Sequence, residues 1–417
     1  MGLSWQRMLS LRTSDSELLR PLAVEGERLV VCLASVPLSL AALLAAAYAR
    51  ALLDGLGCWR DVHHCRSANG IPVHPLGLGV PEAYVLPPRP LASRRTDFGL
   101  SLDADAASAA ARLEYYRDSW FVLTGPAADG WDVIAHYEIL ASGSLPYFLA
   151  LDRCPAYTLL GLPKALLRAV AHLPHLPNRA AIARAVAREH DAAAADVLLL
   201  LRRAANGTRA LALRVRRGAA ELVHAYEQLQ RRLREYTFEH LTTAALVRRM
   251  LAAAAGVSRV ESARVARAPG GGNASAVLLL TPSPYGVQAA AVHHGLASLG
   301  SEVHSLPDMA ELYRPGGGKA AAAAPREGSI FVHSLPPRRH KPRSRKEIVS
   351  LLRTQAYRLV LVFLGSEADD EAHDALLARY DRERIVCVNS GNQLPAVWKI
   401  WAPRFCSSLM VREMHLR

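Results

Sequence analysis

The sequence predicts an α/β protein made of two α/β domains, and three observations carry the prediction. Two stretches, 118–163 and 276–390, alternate short apolar β-prone runs with helical ones, the pattern of parallel sheets covered by helices. Between them lies ARVARAPGGGNAS at 263–275, a linker by composition. The chain is 51% hydrophobic and 21% charged over 417 residues, enough to bury real cores rather than stay disordered.

Taken in order, residues 1–28 read as an N-terminal tail. Leu29–Ala49 then runs without a charge, close to the roughly 20 residues that span a bilayer. Segment 29–50 is therefore read as a signal-anchor helix, with the region after it luminal; a buried helix of a soluble chain is the other reading. Residues 55–100 are rich in Gly and Pro and read as loop with short strands. Ala106–Arg117 is a helix, and Asp103 and Asp105 beside its start read as caps rather than a metal motif.

Ser119–Thr124 is an apolar run suited to a buried strand, followed by a turn over Gly125–Gly130. Trp131–Ser142 follows as a helix stopped by Gly143, then Leu145–Leu149 as a second strand, completing a βαβ unit. Such units bind ligands beyond the carboxyl ends of their strands, near the helix N-terminus, here Gly130–Asp132. Pro163–His172 starts another helix, and helical pattern dominates Ala180–Gly256, completing a first domain over 51–262.

The second domain, 276–417, opens with a strand at Ala276–Thr281 and a turn at Pro282–Gly286. A helix at Val287–Leu299 and a strand at Glu302–Ser305 follow. Two low-complexity loops, Pro315–Glu327 and the strongly basic Pro336–Lys346, interrupt this half. Leu359–Leu364 and Ile385–Val388 are strands with a helix at Asp370–Tyr380 between them.

Net charge is +13, but Arg and Ala are used heavily throughout, and no aromatic-plus-basic module marks a nucleic-acid surface. Six cysteines form no CxxC or zinc spacing; Cys58 and Cys65 would pair in a luminal compartment. Asn206 and Asn273 head glycosylation sequons, which matter only in that compartment.

The first βαβ unit resembles the core of a glycosyltransferase family of algae, other protists and large DNA viruses of algae, distantly similar to exostosin-like enzymes. The resemblance is carried by Tyr115-Tyr116, Gly130-Trp131-Asp132, His136-Tyr137-Glu138-Ile139, Gly143, Pro146-Tyr147-Phe148, Cys154-Pro155 and Pro163-Lys164. Looser similarity continues through Thr242-Thr243, His294-Gly295-Leu296, Ile385–Gly391 and Val411-Arg412-Glu413.

The resemblance implies a GT-B-like fold: two Rossmann-like domains facing across a cleft, with a helical segment between them. The donor-type half comes first, so the halves stand in permuted order. It implies transfer of a sugar from a nucleotide-sugar to a hydroxyl of a glycan or glycoprotein in the Golgi or ER membrane, with no metal and no resident cofactor. On this reading Glu138 receives the ribose hydroxyls, the Gly130, Trp131 and Asp132 backbone faces the diphosphate, and His136 contacts the donor. Gly143 and Ser144 turn the chain beside the sugar. Apart from the resemblance, His293 and His294, read as lying near the carboxyl end of a strand in the second half, are weak candidates for the catalytic base.

Two departures from the family pattern stand out. Ala135 occupies the place of a basic residue, and Ser390-Gly391-Asn392 lacks an acidic pair. They define a second reading, a relative that binds nucleotide or glycan without transfer. A basic nucleic-acid-associated protein is the third.

Overall fold

The computed structural model describes residues 73–100, 108–126, 130–155, 158–177, 181–182, 211–214, 220–257, 276–282, 286–314, 329–338, 341–363, 380–389 and 406–412. The chain divides into a unit of residues 1–74 with 416–417 and a larger unit of 75–415. The larger unit is α/β and holds two largely parallel sheets.

The first sheet grows from β2 (Arg95–Leu100), α1 (Ala109–Arg117), β3 (Ser119–Thr124), α2 (Ile134–Ala141) and β4 (Leu145–Phe148). Its order is β4-β3-β2-β5, with β5 at Leu211–Arg214. The first three strands are parallel, and β5 lies antiparallel to β2. β3 and β4 are buried along their whole length, which is why they read as unbroken apolar runs rather than alternating ones.

β5 falls inside the stretch whose pattern predicts helix. The LALR tetrapeptide fits either state, and pairing with β2 makes it a strand. The predicted helix over Ala106–Arg117 starts three residues later, capped by the Ser108 side chain. α3 (Lys164–Val170) follows β4.

α4 (Ala220–Tyr236) buries Leu222, Tyr226, Leu229 and Leu233, one stripe at helical spacing. A π turn at Thr237–Leu241 leads into α5 (Thr243–Val257).

The second sheet contains β6 (Val277–Leu280), β7 (Val303–Leu306), β8 (Leu359–Phe363), β9 (Ile385–Asn389) and β10 (Ser408–Val411). The order β10-β9-β8-β6-β7 places the first of these strands between the second and third, a doubly wound arrangement. All of these neighbours are parallel. β1 (Val73–Pro75) precedes Leu76, whose N–H donates to the Val411 carbonyl at 2.8 Å.

α6 (Val287–Ser298) joins β6 to β7, ending at Gly300 as the sequence predicts. α7 (Arg345–Arg353) precedes β8 and is not among the predicted elements, because its first turn shares the basic composition of the loop before it. Its signal was present: Ser344 and Glu347 form a capping box, and Ile348, Val349 and Leu352 are buried. The helix predicted at Asp370–Tyr380 lies outside the described residues apart from Tyr380, as do segment 29–50, Cys58, Cys65 and both sequons.

α5 and α6 cross closely at Gly295, where an added Cβ would run into the Thr243 carbonyl and the Val247 side chain. One contiguous apolar cluster includes residues of both sheets, from Leu76 to Met410. Cys387 of β9 and Cys406, two residues before β10, are joined as a disulfide across 5.7 Å between Cα atoms.

Candidate functional site

The βαβ unit places Gly130–Asp132 and His136 around the carboxyl end of β3 and Glu138 within α2, whereas Gly143 and Ser144 lie at the opposite end, beside the first residues of β3 and β4; nearly all are buried. Gly130 keeps a positive φ of 139°, the turn conformation for which glycine is suited. Trp131 packs into the core. Asp132 does not cap α2: the N-cap is Val133, with no side-chain bond. Asp132 instead accepts from the Tyr137 hydroxyl at 2.8 Å, and that hydroxyl in turn accepts the Leu78 N–H at 3.1 Å. Burial, and then Asp132, hold the Tyr137 phenol well above its ordinary range, so it remains a donor.

Glu138 is 1% exposed, and both its oxygens are taken by Arg112 of α1. The contacts are 3.0 Å from Nε and 2.5 Å from Nη2, with Arg112 also 1% exposed. This is a bidentate buried ion pair. Desolvation raises the Glu138 carboxyl, and the Arg112 bonds and charge oppose that rise. The sequence shows the carboxylate but not its partner, since a contact over 26 residues leaves no periodic signal.

His136 is fully buried, and burial drops its imidazole to about 4, so the ring is neutral. Nε2 lies 3.1 Å from the Gly125 carbonyl and must carry the proton, which leaves Nδ1 as an acceptor. Nδ1 and the buried Thr124 hydroxyl, at the carboxyl end of β3, have no hydrogen-bond partner among the described residues.

Gly143 turns the chain with φ 78°, and an added Cβ would press on Pro88. Its carbonyl accepts from Arg94 Nη1 at 3.0 Å and from Gln230. Arg94 is itself buried, and it also donates to the Tyr226 hydroxyl at 3.2 Å. Ser144 Oγ lies within bonding distance of the Ser119 carbonyl, at 2.8 Å, and of the Tyr116 carbonyl. Arg94, Arg112, Tyr226 and Gln230 are the functional-looking polar groups that sequence reasoning missed, because each acts by tertiary pairing rather than by motif.

His293 and His294 sit about two turns inside α6, not at a strand end. His293 Nε2 meets the Tyr313 hydroxyl at 2.9 Å, and burial, aided by the Arg338 charge, lowers the ring to about 3. His294 Nδ1 meets Thr243 Oγ1 at 2.8 Å, and burial lowers that ring to about 4. His294 also lines a cavity of about 730 Å³ that runs along β7. The Glu138 and His136 groups do not line this cavity.

Electrostatically, the α2 region holds one neutral pair, one carboxylate with a phenol donor and one neutral imidazole. It offers acceptors and backbone N–H groups, and the largely buried Arg249 guanidinium adds a positive charge that acts on the Tyr137 phenol. Among the described residues no group of three or more His, Cys, Asp or Glu side chains could hold a metal. No family model, curated protein or solved structure matches the chain.

Proposed function

We propose that this chain is a glycosyltransferase of GT-B type, which moves a sugar from a nucleotide-sugar to a hydroxyl of a glycan or glycoprotein. Residues 51–262 form the donor-binding half, 263–275 the linker and 276–417 the second Rossmann-like half, facing the first across a cleft in permuted order. The observation that carries the reading is the parallel strand order of both sheets. The first has β2, β3 and β4 in sequence, and the second has β6 between β7 and β8. Open parallel sheets take ligands beyond the carboxyl ends of their strands; the order reverses at β6 in the second sheet and runs without reversal through β2, β3 and β4 in the first. In the first half that end carries Gly130–Asp132, His136 and the Glu138–Arg112 pair.

On this reading backbone N–H groups at the start of α2 face the diphosphate. Glu138 meets the ribose only by sharing its oxygens with Arg112. The same reading anchors the chain by residues 29–50 in the Golgi or ER membrane, with the remainder luminal. The Cys387–Cys406 bond supports an oxidising compartment. Among the described residues no helix is long and apolar enough to cross a membrane, and residues 29–50 lie outside them.

A second reading, binding without transfer, is favoured by a specific observation. Glu138 and His136 are committed to internal partners, and Ala135 offers no cation beside them.

Thermal shift with nucleoside diphosphates and their sugars tests both readings, followed by donor turnover on any that bind. Stabilisation with turnover supports transfer. Stabilisation without turnover selects the second reading. No stabilisation by any nucleotide at millimolar concentration removes transfer and nucleotide binding, and leaves of the second reading only its glycan-binding form.

A further inference from the structure

We propose, resting on the donor-site reading above, that Arg249 of α5 binds the diphosphate of the ligand beside the start of α2. It stands in for the cation that Ala135 does not supply. The Arg249 guanidinium is largely buried, yet among the described residues it has no ion pair and no hydrogen bond. The buried arginines around α2 differ. Arg112 is committed to Glu138, and Arg94 to the Gly143 carbonyl and the Tyr226 hydroxyl. A guanidinium withdrawn from water without an acceptor costs free energy that a paired one recovers. An oxyanion arriving from solution removes that cost, and a phosphate does so with two parallel N–H···O bonds.

The neighbours of Arg249 tie it to the turn that opens α2. Its charge acts on the phenols of Tyr236 and Tyr137. Tyr137 donates to Asp132 of that turn at 2.8 Å, and Tyr236 donates to the Gly161 carbonyl at 3.2 Å. A Cβ added to Gly77 or to Gly161 would lie 2.9 or 3.0 Å from the Tyr137 hydroxyl, so both chain segments close on this group. Neither phenol can neutralise Arg249. Burial keeps both protonated, Tyr137 well above its ordinary range and Tyr236 pushed up to about 12. The same turn leads into the N–H groups at the start of α2, which also favour negative charge. A diphosphate spans the two, with one phosphate at the helix start and the other at Arg249. Two such positive ends suit a polyanion better than a single carboxylate.

Calorimetric titration of the full chain tests the role. The probes are uridine, guanosine and adenosine diphosphates, inorganic pyrophosphate and the bare nucleosides. The proteins are the parent, Arg249→Met, Arg249→Lys and Arg248→Met, an exposed position on the same helix. At least one nucleoside diphosphate and pyrophosphate should bind the parent and bind Arg249→Met at least about tenfold more weakly. Arg249→Lys should recover part of that loss, and Arg248→Met should change little. The thermal midpoint of ligand-free Arg249→Met should stay at or above that of the parent, because the lost charge had no partner in the fold. An arginine held for structure would lower it. The role is overturned, with the donor-site reading intact, if Arg249→Met binds nucleoside diphosphate as the parent does. It is equally overturned if Arg248→Met weakens binding as much, or if the Arg249→Met midpoint falls. A parent that binds neither nucleoside diphosphate nor pyrophosphate overturns the role and the donor-site reading together.

Discussion

The Glu138–Arg112 pair shows most clearly how one residue can carry two accounts. A carboxylate on α2, read from its motif as a ribose ligand, balances a guanidinium with which it is buried at 1% exposure. Removing one partner leaves the other charged in an apolar surrounding. Glu138→Ala and Arg112→Ala are each expected to destabilise the fold by about 3–5 kcal/mol, whereas the apolar pair Arg112→Met with Glu138→Leu recovers most of that loss. Urea unfolding of the three variants measures it. A Glu138→Ala protein as stable as the parent would show that the pair does not form. Glu138 itself was legible through its place in a dense motif. Arg112 was not, since one arginine among the alanines of α1 reads as solvated surface until its helix packs on α2.

At the scale of elements, legibility followed burial. β3, β4, β6, β8 and β9 stood out because strands buried on both faces are continuous apolar runs, each closed by a turn. β5 was hidden because four residues, LALR, satisfy a helix as well as a strand, and only its partner β2 decides. α7 was hidden because its first turn shares the basic composition of the loop before it. The crossing of α5 and α6 could not be read from one glycine, although His294-Gly295-Leu296 was singled out. Here Gly295 allows two helix backbones to approach until a methyl group has no room. Gly295→Ala should cost about 1–3 kcal/mol as an overpacked contact. A thermal midpoint within error of the parent would mean that the helices do not approach so closely in solution.

For the whole molecule, the buried imidazoles set a dependence on acidity. His136 and His294 are lowered to about 4 and His293 to about 3, each mainly by burial, from an ordinary value of 6.5. The unfolded chain takes up protons near 6.5, while the folded one resists until much lower pH. Their contribution is therefore fully present above about pH 6.5 and is lost as pH falls toward 4. The thermal midpoint should hold steady at neutral pH and fall through that window; a flat profile from 6.5 to 4.5 would contradict the burial of these rings.

The α/β class and the two groups of strands were readable from patterning at this scale, and the strand order was not. Order depends on which edges meet, and parallel strands leave no local trace of their neighbours. The central claim, sugar transfer by a pair of parallel α/β halves, is tested most directly by turnover. The purified full chain is incubated with a panel of nucleotide-sugars and neutral oligosaccharide acceptors. Nucleoside diphosphate release and acceptor mass are then followed together. The account predicts nucleoside diphosphate released in step with an acceptor lengthened by one sugar. An acceptor left unchanged with every donor, including donors that raise the thermal midpoint, would contradict it.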